Sequence, residues 1–174
     1  RTHLSALAPL NAHGWSKHLF DRWVARLVES GSQEKVPPQW VGLKFFNVYG
    51  PNEYHKGEQI SVALKNYREI SSGNPAILFR SHNPDYKDGG QKRDFIWVGD
   101  CVDVMLWLKN NPAVSGLFNL GTGKARSFFD LTNSIFDATC ITPKIEFVDT
   151  PLTLRDKYQY FTEARMERLR KAGY

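Results

Sequence analysis

Cysteine is scarce: Cys101 and Cys140 are the two thiols in 174 residues. Two cysteines cannot build a disulfide framework, and neither has a Cys-x-x-Cys neighbour. Two ordinary thiols in a reducing compartment are expected. Long apolar runs are lacking too. None approaches the roughly 18 residues a membrane helix needs, so no span is expected. No signal-peptide pattern stands at Arg1. The five histidines, His3, His13, His18, His55 and His82, fall at no metal-ligand spacing, and no metal is expected. The net charge is +5 and the pI about 9.2, yet there is no basic block and no nucleic-acid motif. No nucleic-acid partner is expected. The basic balance suits phosphorylated ligands, or reflects an acidic segment outside these residues. The chain has no initial Met and leads straight into a motif at Asn11, which suggests a truncated N-terminus.

What is present is a core-forming composition: 41% hydrophobic and 13% aromatic residues. The pattern predicts a helix from about His13 to Glu29, with Trp15, Leu19, Trp23, Val24, Leu27 and Val28 on one face. Gly31 and Pro37-Pro38 end it. Trp40 to Phe46 reads as a buried strand, broken by an Asn47–Pro51 loop. A helix over Gln59–Ile70 and a strand over Ala76–Arg80 follow. Ser81–Lys92 is a long polar loop, a length that favours function. Phe95–Val98 reads as a strand. Asp100 reads as the N-cap of a helix to Lys109. Leu117–Leu120 reads as a strand. Ser127 with Asp130 resembles a capping box for a helix to Ala138. Lys144–Val148 is a last strand, and Thr162 reads as the cap of a helix through Lys171, closed by Gly173. Alternating strands and helices on short connections predict an α/β layered fold.

Chemistry concentrates in a few clusters. His13 and Lys17 are four apart at a helix start, so both side chains share one face. A proton carrier beside an ammonium can do acid/base work at an alcohol, and a pair at this spacing is by itself a weak signal. Phe45-Phe46-Asn47-Val48-Tyr49-Gly50-Pro51 runs from a strand into Asn52-Glu53-Tyr54-His55-Lys56-Gly57. Leu78-Phe79-Arg80-Ser81-His82 and Lys92-Arg93-Asp94-Phe95 flank the long loop. Arg155-Asp156-Lys157-Tyr158-Gln159-Tyr160-Phe161 closes the set. Arg93 offers a planar fork suited to phosphate oxygens. Phe118-Asn119-Leu120-Gly121-Thr122-Gly123 has two glycines late in the chain, and is not the phosphate-binding fingerprint.

Taken together, these motifs resemble the extended short-chain dehydrogenase/reductase family of nucleotide-sugar epimerases over essentially the whole chain. The His55-Lys56-Gly57 element is similar to that of the ADP-heptose 6-epimerases within it. The resemblance implies the C-terminal part of a Rossmann-type doubly wound sheet plus a smaller α/β substrate domain. Residues 1–50 would be the last elements of the NADP-binding part. Residues 51–174 would be mainly the substrate part, with some segments returning to the first. It implies NADP as cofactor, an ADP-heptose substrate, a homo-oligomer and a Gram-negative bacterial cytoplasm, in lipopolysaccharide inner-core synthesis. By resemblance, Lys17 and Lys56 are catalytic, and His13 stands where the family has tyrosine. Lys17, Val48 and Lys56 would touch the cofactor. Asn47, Glu58, Lys65, Phe79, Arg80, Ser81, His82, Arg93 and Tyr158 would touch the sugar nucleotide. His13 is either a shorter, working proton carrier or an inactivating substitution. Taken alone, Lys56 reads as a solvated loop lysine, and its catalytic role comes from the resemblance. Nothing here supplies the family's early glycine-rich dinucleotide site, so the chain reads as a fragment, inactive alone and with an exposed sheet edge that favours aggregation.

Overall fold

A helix of 18 residues, α1 (Ala12–Glu29), opens the fold of the computed structural model, which describes residues 4–30, 36–155 and 158–174. Asn11 caps it by accepting from the Gly14 N–H at 2.8 Å. The expected stop at Gly31 lies outside the described residues. Two strands follow in quick succession, β1 (Val41–Phe45) and β2 (Asn47–Tyr49). Then come α2 (Val62–Ser71), β3 (Ala76–Phe79), β4 (Lys92–Arg93), β5 (Phe95–Trp97) and α3 (Val98–Asn110). The chain ends with β6 (Gly116–Leu120), β7 (Arg126–Ser127), α4 (Phe128–Thr139), β8 (Ile145–Val148), α5 (Leu152–Arg155) and α6 (Glu167–Lys171).

Strands pair across long sequence separations. β1 lies parallel to β6, with Leu43 opposite Phe118. β2 lies parallel to β5, and β3 parallel to β8. β4 and β7 are antiparallel. Parallel pairs need crossovers, and the intervening helices provide them. One core gathers Ile96, Cys101, Val104, Leu108, Phe118, Leu120 and Leu169. A second, smaller core holds Ile70, Ala76 and Phe136 between α2 and α4. Among the described residues no helix is long and apolar enough to cross a membrane, and no metal-binding cluster occurs. Both cysteines are free, with Cys101 buried and Cys140 exposed.

Four expectations are corrected. Asn47–Tyr49 is a strand rather than loop, because β5 lies alongside and Asn47 donates to the Asp94 carbonyl at 2.9 Å. The break comes at Gly50, whose φ of +141° is unsuited to other residues. The helix expected from Gln59 starts at Val62, capped by the Ser61 hydroxyl, which accepts from Leu64 N–H at 3.1 Å. Tyr54–Gln59 before it forms 3-10 turns. Asp100 lies inside the first turn of α3, with Trp97 at the N-cap. A carboxylate suits either place, because the unpaired N–H groups of the first turn attract it. Thr162 caps nothing. Its N–H donates to the Lys92 carbonyl at 3.2 Å and Ala164 N–H to Asp94 Oδ2 at 3.0 Å, so tertiary bonds hold this stretch extended. The last helix begins only at Glu167. Ser127 and Asp130 do form a capping box, each side chain bonding the other's backbone N–H, at 2.9 and 3.0 Å.

Candidate functional site

His13 and Lys17 stand one turn apart on α1, both exposed. The helix is fastened to β1 by an ion pair between Asp21, one turn beyond Lys17, and Lys44. That contact places Lys17 on a cleft of about 510 Å³ with Ser16, Leu43, Lys44 and Phe45, at the C-terminal end of β1. Ligands of parallel α/β sheets sit outside the carboxyl ends of strands, so this is a reasonable place for one. Asn47 and Val48 follow on β2, Asn47 exposed and Val48 half-buried against the larger core. Lys56 and Glu58 are exposed on the 3-10 turns that lead to α2. Among the described residues no hydrogen bond or ion pair joins His13 or Lys17 to Lys56.

A second cleft, of about 320 Å³, lies beyond α2 and is lined by Lys65, Asn66, Phe79, Gln91, Phe128 and Tyr158. Arg93 stands at its edge. Its guanidinium carbon is 5.6 Å from the Phe128 ring centre and 5.5 Å from that of Tyr158. Burial lowers the pKa of Arg93, and the nearby Tyr158 oxygen acts the other way. Burial pushes Tyr158 up, against the pull of Arg93. Arg93 donates to the Lys92 carbonyl at 2.8 Å, and among the described residues no carboxylate pairs with it. Two aromatic faces offset part of its desolvation. A bound anion would offset the rest, and the planar fork suits a phosphate or diphosphate.

Arg80, Ser81 and His82 follow the end of β3. Arg80 pairs with Asp149 at 3.3 Å, both exposed, so the pair contributes little to stability. Ser81 N–H donates to Asp88 Oδ1 at 2.8 Å, and His82 N–H to the Tyr160 hydroxyl at 2.8 Å. Phe79, Tyr158, Tyr160 and Tyr86 form a chain of ring contacts at 5.0–6.3 Å between centres, which walls the loop against the cleft. Thus Lys65, Phe79 and Tyr158 line one cleft, with Arg93 packed on two rings at its edge and Arg80–His82 following Phe79 in the chain, while Lys17 belongs to another. Residues Asp156 and Lys157 of the closing segment lie outside the described residues.

Several residues of the site carry no local sequence signal. Gln91 is 1% exposed and bonds the Phe79 carbonyl at 3.4 Å, a contact across the long loop. Asp94 is 0% exposed and accepts from Thr122 N–H and hydroxyl, Gly123 N–H and Ala164 N–H at 2.7–3.0 Å. Burial alone would raise its pKa, but these four donors hold it below the usual carboxylate value. This anchor fixes the backbone next to Arg93. Glu53 is buried and bonded to Ser61, a partner eight residues away. The Arg93-Asp94 dipeptide was the one visible hint, since adjacent opposite charges beside a strand seldom face the same way.

Residues 1–121 match the model of the NAD dependent epimerase/dehydratase family. The ADP-L-glycero-D-manno-heptose-6-epimerase of Nitratidesulfovibrio vulgaris is 54% identical over 96% of this chain and 50% of its own. The crystal structure of the Helicobacter pylori ADP-L-glycero-D-manno-heptose-6-epimerase aligns with a TM-score of 0.72 at 26% identity, over 94% of this chain and 45% of that one. The UDP-N-acetylglucosamine 4-epimerase of Methanobrevibacter ruminantium aligns with a TM-score of 0.77 at 22% identity, over 97% and 49%, a likeness of fold. The chain spans about half the length of the curated relatives it matches. Its fold is the Rossmann-like α/β arrangement of parallel strands, and the chain belongs to the NAD dependent epimerase/dehydratase family.

Proposed function

We propose that the full-length protein is an ADP-L-glycero-D-manno-heptose 6-epimerase, which inverts C6″ of ADP-D-glycero-D-manno-heptose using NADP. The observation that carries this reading is the 54% identity, over nearly the whole chain, to a relative of that name. A homo-oligomer in the cytoplasm of a Gram-negative bacterium, serving lipopolysaccharide inner-core synthesis, belongs to the same proposal. So does a division into residues 1–50 on the cofactor side and 51–174 mainly on the substrate side. The 174 residues contain no early Gly-x-Gly-x-x-Gly turn, and alone they are proposed to be inactive.

The nicotinamide cofactor fits the exposed Lys17 ammonium, which lies at the C-terminal end of a parallel strand and makes no ion pair among the described residues. Lys17 would hold the ribose hydroxyls, with Val48 and Lys56 against the nicotinamide. When bound, the nicotinamide supplies a reversible hydride acceptor. Arg93, between two rings, would hold the diphosphate, and Lys65, Phe79 and Tyr158 would enclose the nucleotide end. Arg80–His82, Asn47 and Glu58 would complete the sugar side. Inversion requires the substrate to present both faces of one carbon. Proton carriers on two sides, at His13 and Lys56, suit that requirement.

Imidazole is shorter than the phenol the family places at position 13. Misplacing a proton carrier costs a factor of about 10² to 10⁴. His13→Tyr in the full-length protein is therefore expected to raise kcat by about 10²-fold or more, read as the ratio of the two heptose epimers by anion-exchange chromatography. An unchanged kcat would show that His13 is not the defect. Absence of epimer conversion in both variants, with the sugar nucleotide still raising the melting temperature, would favour a binding module. A ligand at about 100 times its dissociation constant adds about 2.7 kcal/mol.

A further inference from the structure

Lys56 sits on a segment that the fold holds with unusual care. Glu53, three residues before it, is 5% exposed. Its two carboxylate oxygens accept from the Ser61 N–H and the Ser61 hydroxyl, each at 2.6 Å. The Lys56 ammonium lies near enough to favour its charged form. One side chain thus ties Glu53, just past the end of β2, to the start of α2 at Ser61. The segment between is a closed loop that carries Lys56.

The backbone inside this loop is fixed on both sides of Lys56. Its N–H donates to the Glu53 carbonyl at 3.1 Å. Gly57 follows at φ +55° and ψ −126°, where a side chain would meet nothing within 4 Å but the backbone conformation excludes one. The Lys56 side chain itself is exposed and free to reach. A fixed backbone with a free ammonium is what a positioned proton carrier needs. The Ser61 hydroxyl donates to Glu53 while accepting from the Leu64 N–H, so the same bonds join the cap of α2 to the loop that carries Lys56. Burying a carboxylate is costly, and burial alone would raise its pKa. The Ser61 donors, with the Gly50 amide and the Lys56 charge nearby, outweigh this and hold it low.

We infer that Glu53 is a positioning residue: its carboxylate clasps the start of the loop, at Glu53, to Ser61 and so sets the place of Lys56 against the substrate. The inference rests on the reading of Lys56 as an acid/base. It is tested in the full-length protein by a cycle of Glu53→Ala, Lys56→Met and the double variant. A displacement of about 1 Å costs about 10²-fold, so Glu53→Ala should lower kcat by about that factor while KM for the sugar nucleotide stays within about twofold. On the Lys56→Met background the same change should cost nothing further, because its effect passes through Lys56. A second loss of similar size in the double variant would mean a general structural role and would overturn the inference. If Glu53→Ala does not fold, Glu53→Gln replaces it in the cycle. Glutamine still accepts from the Ser61 N–H, and a loss of roughly tenfold in kcat is expected, absent once Lys56 is gone. Full kcat in Lys56→Met would end the acid/base reading and the inference with it. Loss in Lys56→Met with full kcat in Glu53→Ala would end the clasp alone.

Discussion

Two regions of the molecule set a helix against a parallel strand pair, and they end differently. Around β3, helices α2 and α4 close on each other: Ile70 and Ala76 are 0% exposed and Phe136 1%. Asn66 on α2 even hydrogen-bonds Thr132 on α4 at 2.8 Å, inside the seam. Around β1, α1 lies over the strand with Leu19, Phe20 and Trp23 still 55–62% exposed, and a cavity of about 390 Å³ remains between helix and sheet. Both helices have an apolar face in sequence. Amphipathic spacing says which face is apolar, not that these residues alone bury it.

The largest test of the contrast is a pair of truncations. Phe136→Ala should cost about 3–5 kcal/mol, because its neighbours on α2 and β3 cannot collapse into the space. Trp23→Ala should stay within about 0.5 kcal/mol, since water already reaches half the ring. Urea denaturation of this chain measures both, and equal losses would abolish the distinction. Next comes Thr132→Val, which keeps the volume but strips the acceptor from the Asn66 amide. Leaving that donor unpaired should cost about 1–3 kcal/mol. A neutral result would mean that the seam is less dry than its exposures indicate.

Smaller again is Ser127→Ala at the start of α4, expected at about 1 kcal/mol in the same denaturation experiment. Asp130 gives this cap a pH signature. The Ser127 hydroxyl and N–H lower its pKa, against burial. Its folded value lies below its unfolded one, so the contribution is complete above the unfolded pKa of about 4 and is lost as pH falls through the folded value. Asp94 and Glu53, also lowered, add in the same direction. Stability should therefore fall on acidification below about pH 4, and Ser127→Ala should flatten part of that slope.

Sequence reading succeeded where the signal is local. The Ser127–Asp130 box, the apolar runs of β1, β3, β6 and β8, and the extent of α1 all lie within a dozen residues of the groups that determine them, although α1 buries His18 and Asp21 rather than its predicted apolar face. It failed where a distant partner wins. Thr162 looks like a cap until Asp94, distant in sequence, takes the Ala164 N–H. Asn47–Tyr49 looks like a loop until β5 arrives beside it. The candidate site divides the same way. Arg93 and Lys56 stand in recognisable strings. The rings that flank Arg93 come from residues 128 and 158, and the carboxylate that ties the Lys56 loop bonds a serine with no motif of its own.

The smallest stability effect carries the last test. Leu19, Phe20 and Trp23 are exposed neighbours on one side of α1, and Phe45 at the end of β1 is 49% exposed as well. A contiguous apolar face of this kind drives self-association in a chain that leaves it uncovered. Replacing Leu19 and Trp23 with glutamine removes apolar area that water already touches, and glutamine is a good helix former. The melting temperature should therefore move little, with each substitution worth no more than about 0.5 kcal/mol. Sedimentation velocity at rising concentration should then show less self-association than the unaltered chain. If the substitutions instead unfold α1, the helix depends on that face within this chain, and the two regions are built alike after all.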